Sequence, residues 1–201
     1  MEQYSAIIVA FLTGVLGPIL VILVKNKITN SKPKSDMLSD SLRIGELVTT
    51  KIEHIREEFK ADRVWITQFH NGGHFYPTGK SIAKFSVIYE AVSANTNSIQ
   101  MNFQNIPVNL FSRSMNRLLD VEVIEIPDYE DPMVSTYGLK YIARDTNCKS
   151  GYLFAIKTLD DKFIGILGVD YTKKKVKLSH ENINELAIDA SVLGGALIST
   201  H

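Results

Sequence analysis

Residues 150–172 read SGYLFAIKTLDDKFIGILGVDYT. Two runs rich in aromatic and branched side chains, Tyr152 to Thr158 and Phe163 to Tyr171, flank Leu159-Asp160-Asp161-Lys162. Such residues suit a pleated, half-buried surface. The paired aspartates supply turn chemistry, so the stretch predicts a β-hairpin. Downstream, Ser179 is placed to cap a final helix. Its apolar stripe is Ile183, Leu186, Ala187, Ala190, Leu193 and Leu197. Gly194 and Gly195 leave room there for another helix to approach closely.

Upstream, Arg63 to His70 alternates. Val64, Ile66 and Gln68 face one way and Trp65, Thr67 and Phe69 the other, which predicts a strand closed by a turn at Asn71-Gly72-Gly73. Lys84 to Val92 is a second strand. Asn105 to Leu119 is a helix with Pro107 near its start. Val121 to Ile126 is a short strand ended by Pro127, and Val134 to Asp145 is a helix. Before them all, Leu38, Leu42, Val48, Ile52, Ile55 and Phe59 recur at helical spacing over 35–60, opposite Lys51, Glu53, Arg56 and Glu57. The element order predicts an α+β class: an antiparallel sheet with the terminal helices on one face and the connecting segments on the other.

Composition narrows the function. The 201 residues hold 22 basic and 22 acidic side chains and are 45% hydrophobic. That balance excludes a disordered chain and gives no basic excess, so no nucleic acid partner is expected. Cys148 is the single cysteine; an internal disulfide and a multi-cysteine zinc site are excluded.

The charge is unevenly placed. Residues 1–34 hold four lysines against Glu2 alone. From Ala6 to Val24 there is no charge, and Thr13 is the only polar side chain. As a helix this run spans roughly 28 Å, a bilayer core. It lacks a basic n-region and a small-residue cleavage site, so a retained anchor over 1–25 is expected rather than a signal peptide. Lys25, Lys27, Lys32 and Lys34 follow it, which places the C-terminal part in the cytoplasm of a single-pass membrane protein. Residues 26–35 read as a linker and 36–201 as the domain.

His70-Asn71-Gly72-Gly73-His74, followed by Phe75 and Tyr76, is the densest polar cluster. It reads equally as a mobile loop over a ligand pocket or as a hairpin connection with exposed histidines. Two imidazoles with no nearby carboxylate predict no metal site, and no cofactor is expected. Tyr76, Tyr89, Tyr137, Tyr141 and Tyr152 give rings with polar tips that suit a pocket or ordinary packing. Cys148 reads as a small buried side chain. The acidic residues around 128–131 and the lysines at 173–177 read as solvated loops. No nucleophile elbow, P-loop, dinucleotide fingerprint or zincin motif is present, so no enzyme is expected.

RVWITQFHNGG (63–73), KFSVIYEAV (84–92), SGYLFAIKT (150–158) and KFIGILGVDYT (162–172), in this order before a closing helix, resemble the GAF domain, a small-ligand-binding sensory fold. The resemblance covers about residues 36–200. It implies a ligand between the sheet and the segments connecting its strands, near Phe69, His70, Tyr76, Phe85, Tyr89, Tyr137, Tyr141 and Phe154, with Asn71 and His74 on the adjoining loop. It also implies a homodimer through helices 36–60 and 183–197. The cyclic-nucleotide signature of that family is absent. Cys148 is followed by Lys149, so the bilin-attaching role is not carried over, and one thiol does not match the sulfoxide-reducing branch. The expected function is a membrane-anchored cytoplasmic sensory or regulatory domain that binds a small molecule or protein and signals through helix packing. The alternative is a membrane-tethered structural or interaction protein, accessory or phage-encoded, with a pocket plugged by its own side chains.

Overall fold

The computed structural model describes residues 12–30 and 37–198, and the chain divides between Asp40 and Ser41 into two compact units. In the first, Leu12–Leu16 is a π-helical turn leading into α1, Gly17–Asn30. The membrane-spanning helix expected over 6–24 falls partly outside the described residues. Residues 6–11 lie outside the described residues, and no helix among the described residues is long and apolar enough to cross a membrane. α1 has 14 residues and carries Lys25 and Lys27.

The helix α2 (Met37–Glu58), which belongs to the second unit from Ser41 onward, leads by a tight turn into β1 (Arg63–His74). There follow β2 (Ser81–Val92), the two-residue β3 (Ile106–Pro107), a 3-10 turn at Val108–Phe111 and α3 (Ser112–Val121). Then come β4 (Val123–Ile126), α4 (Lys140–Asp145), β5 (Ser150–Lys157), β6 (Phe163–Tyr171) and α5 (His180–Ile198). The six strands form one antiparallel sheet in the order β3-β2-β1-β6-β5-β4.

The period-two alternation sorts side chains between two cores. Val64, Ile66, Phe154, Ile156, Leu167 and Val169 face one way. There they meet Val48, Ile52, Ile55 and Phe59 of α2 and Ile183, Leu186, Ala190 and Leu193 of α5. Full burial of a large aliphatic side chain stabilises by about 1.5–3 kcal/mol, so this layer holds both terminal helices to one face. Ser179 caps α5 by accepting from the Asn182 N–H at 3.2 Å. Lys51 and Asp189 pair between α2 and α5 at 2.6 Å. The opposite face carries Phe85, Leu153 and Ile166 beneath Met115, Leu118, Tyr129 and Ala143 of the connecting segments.

Three local expectations change. β1 does not turn at Asn71-Gly72-Gly73. A register shift between Asn71 and His74 absorbs the glycines, Gly73 taking a left-handed φ of 95°. The chain then turns at Phe75–Lys80, with the Phe75 N–H donating to the Lys80 carbonyl at 2.8 Å. The helix expected from Val134 begins only at Lys140, because Tyr137 (φ 49°) and Gly138 (φ 86°) are both left-handed. Gly194 admits no helix; a Cβ there would meet the Lys157 carbonyl oxygen of β5 at 2.3 Å.

Candidate functional site

On the face away from α2 and α5, the sheet and its connecting segments enclose a cavity of about 80 Å³. Its floor comes from alternate residues of the strands: Trp65, Thr67, Phe85, Val87, Leu153 and Ile166. Its cover comes from Ile99 and Phe103 of the 93–105 loop, Phe111 and Met115 of the α3 region, and Ile142 and Ala143 of α4. These walls are mostly apolar; Thr67, Ser114 and Thr146 also line them, each hydroxyl bonded to backbone, and a charged pair lies at one end.

That end is built by register. Arg63, the first residue of β1, stands directly opposite Asp170 of β6. Arg63 is fully buried and Asp170 is 5% exposed. The guanidinium donates to Asp170 Oδ2 through Nε at 2.9 Å and Nη2 at 2.7 Å. The Trp65 indole donates to the same oxygen at 3.0 Å. One step along the ladder, Trp65 faces Gly168, where a Cβ would fall 2.1 Å from the indole ring. Only a residue without a side chain lets the ring lie there.

The pair is neutral as a unit. Its Coulomb gain offsets its desolvation, but loss of either partner would leave a buried charge uncompensated. It also ties the site to its surroundings. Arg63 Nη1 donates to the Asn97 carbonyl at 3.0 Å, which holds the covering loop. Glu90 fixes the same loop by accepting from Ile99 N–H at 2.8 Å and from the Ser98 hydroxyl. The Asp62 N–H donates to the Asp170 carbonyl at 3.0 Å, and Tyr171 Oη donates to the Phe59 carbonyl at 2.9 Å. The end of α2 and the end of β6 are therefore bonded beside the cavity.

Two further polar groups border it. Cys148 is buried and donates to the Ser150 carbonyl at 3.1 Å. Burial, with the Asp170 carboxylate nearby, pushes its thiol far above the ordinary range. Tyr129 is 6% exposed. Its hydroxyl sits close to Gly151. Burial pushes that phenol well above its usual value. It stays protonated.

Of the residues singled out from sequence, Phe85 lines the cavity. Phe69 and Tyr137 pack against the same core, Phe69 edge-on to Phe163 and Tyr137 beneath the Arg117 guanidinium. Tyr89 and Phe154 lie on the opposite face with α2 and α5. His70, Asn71, His74 and Tyr76 are exposed on the β1–β2 hairpin beyond the cavity, His70 Nε2 lying 3.0 Å from Ser86 Oγ. Tyr141 is 72% exposed. Arg63, Trp65, Tyr129 and Asp170 are the polar residues that the sequence reading does not single out. The one sequence signal for Arg63 and Asp170 is a charge at an inward-facing position of a strand.

No protein-family model matches the chain, and no curated protein matches it. Solved structures do. The blue-light-absorbing PixJ GAF domain of Thermosynechococcus elongatus is 16% identical, with a TM-score of 0.63 over 80% of this chain and 88% of that one. A far-red cyanobacteriochrome photoreceptor is 16% identical, with a TM-score of 0.64 over 90% of this chain and 99% of that one. The phycoerythrobilin-bound GAF domain of a cyanobacterial phytochrome is 20% identical, with a TM-score of 0.61 over 82% and 94%. At these identities the likeness is one of fold: the chain has a GAF-like fold.

Proposed function

We propose that this chain is a sensory or regulatory protein whose GAF-like domain binds a compact, neutral, largely apolar small molecule in the cavity beside Arg63 and Asp170. One observation carries the reading: an open space of about 80 Å³ with apolar walls, whose buried charges already neutralise each other. A charged ligand would bring in a charge with no partner, at a cost of several kcal/mol. A neutral ligand with one polar group meets the Tyr129 hydroxyl instead.

A bilin does not fit these residues. A bilin is a tetrapyrrole, far larger than a space of about 80 Å³. The Cys148 thiol, driven up by burial, is the opposite of an activated nucleophile. The same argument favours a binding module over an enzyme. The thiol and phenol at the cavity are held protonated, and Asp170 Oδ2 is saturated by three donors.

The output runs through α2 and α5. Arg63 follows α2 by five residues, and Asp170 precedes the connection to α5, so a ligand pressing on the pair bears on both. It shifts their packing only by binding one arrangement more tightly. A homodimer through helices 36–60 and 183–197 would read that shift, and the exposed Ile188 and Val192 of α5 support such a surface. The uncharged run 6–24 with its following lysines supports a membrane anchor with the domain in the cytoplasm.

Native mass spectrometry of the full chain released from detergent micelles tests this. Retained mass that leaves on denaturation, carried by a dimer, is expected. A dimer without bound mass, unchanged by any pool of neutral metabolites, would favour the structural alternative.

A further inference from the structure

The β1–β2 hairpin does more than close a sheet edge. β1 pairs with β6 only from Arg63 to Gln68. Beyond that point β1 continues to His74 paired with β2 alone; β2 also pairs with β3 at Lys84 and Phe85, so the two-stranded arm runs outward from Asn71 and Ala83. Its tip exposes Phe75 by 46% and Tyr76 by 98%. A tyrosine left almost wholly in water is an anchor without a pocket on its own chain. From Val64 to Tyr89 there is no carboxylate, while Lys80 and Lys84 lie on the arm. Neither lysine is in an ion pair among the described residues. The neighbouring β5–β6 turn carries Asp160 and Asp161, but Lys162 and Lys157 pair with them at 2.6 and 2.8 Å.

Direction adds a second observation. Phe59 of the α2 end is bonded at the Asp170–Tyr171 end of β6, and Gly45 lies against Tyr89, opposite Ile66. α2 therefore runs antiparallel to β1, and its Ser41 end points the way the arm points.

We propose that the arm is a membrane-contact element. Phe75 and Tyr76 enter the headgroup layer of an anionic bilayer, where amphipathic rings are favoured. Lys80 and Lys84 meet lipid phosphates. The inference rests in part on the membrane reading above, which supplies the surface; the arm's own aromatic tip and charge supply the rest.

The test uses the full chain in vesicles of phosphatidylcholine with and without phosphatidylglycerol. An environment-sensitive NBD label is placed at Tyr76→Cys, or at Lys174→Cys on the opposite end. Buried Cys148 stays unlabelled, and the unsubstituted chain is the blank. The label at 76 is expected to shift to the blue, with roughly a twofold rise in emission on entering the interface. It is also expected to be quenched by lipid-borne nitroxide, most strongly with the anionic lipid. The label at 174 is expected to stay in water, and Lys80→Glu to weaken the response at 76. Alkaline extraction separates the two claims. A chain that resists extraction while its label at 76 stays in water overturns the arm and leaves the anchor. A chain that is extracted, yet whose label responds, overturns the anchor and supports the arm. A response to single-stranded oligonucleotide and not to vesicles overturns the arm as a lipid element.

Discussion

Arg63 Nη2 lies 2.7 Å from Asp170 Oδ2, at the end of a cavity walled mostly by apolar side chains. The two residues are 107 positions apart and meet because β1 and β6 pair in a register that sets them face to face. The bond joins the strand that follows α2 to the strand that precedes α5.

Arg63→Met leaves the Asp170 carboxylate buried without its cation. The expected loss is about 3–5 kcal/mol, read from the midpoint of urea unfolding. Arg63→Met/Asp170→Leu, which removes both charges, is expected to recover most of it. A double variant no more stable than the single one would mean that packing, not charge, holds this end of the cavity.

Asp62 sets an acid limit. Burial pushes its carboxyl up, but the N–H groups of Lys173 and Thr172 and the Lys173 ammonium outweigh it, so the net shift is downward. A carboxyl lowered in the folded state adds stability that is present above the unfolded value of about 3.9. That stability is lost as pH falls through the lower folded value. Thermal unfolding followed from pH 6 to 2 is expected to fall more steeply below about pH 4 in the native chain than in Asp62→Asn.

Cys148 sets a contrasting alkaline trend. Its thiol is raised, first by burial. The stability it adds is complete below the unfolded thiol value of about 8.5 and declines as pH rises past it. Cys148→Ala is expected to flatten that decline. Iodoacetamide at neutral pH is expected to leave the native thiol intact and to modify it within minutes in denaturant. Rapid modification of the folded chain would show the cavity end to be open.

Gly194 and Gly195 are neighbours on α5 with opposite expectations. A Cβ on Gly194 meets the Lys157 carbonyl oxygen at 2.3 Å, whereas one on Gly195 meets nothing within 4 Å. Gly194→Ala is expected to cost about 1–3 kcal/mol through overpacking. Gly195→Ala is expected to gain up to about 1 kcal/mol from helix propensity. Circular dichroism during thermal unfolding reads both.

The sheet and its two terminal helices are legible in the chain because alternation and the 3.6-residue period are local signals. The Tyr152–Tyr171 hairpin, the Val48–Phe59 stripe and the Ser179 cap all follow from neighbours in sequence. The site is less legible. Arg63 at a strand end reads as a solvated charge until its partner on β6 is known. Asn71-Gly72-Gly73 has turn composition but serves a bulge, since Gly73 supplies the left-handed residue while the ladder continues. Tyr137 takes a left-handed conformation, φ 49°, that tyrosine rarely adopts, and no pattern announces it. The tyrosines drew attention for their rings, yet pairing register decides which ring reaches the cavity. Tyr129 does, while Tyr89 faces α2 and Tyr141 faces water.

Trp65 is the single tryptophan, and it borders the cavity. Its emission, titrated with butan-1-ol, butyrate and butylammonium, measures directly whether the cavity takes compact neutral ligands. Butan-1-ol is expected to produce a saturable shift with a midpoint in the millimolar range, about 4 kcal/mol of binding. The two ions are expected to produce none, and Ala143→Leu, which fills the space, is expected to abolish the shift. No saturable change with butan-1-ol, or an equal response from butyrate or from the filled variant, would contradict the assignment of the cavity as a neutral-ligand site.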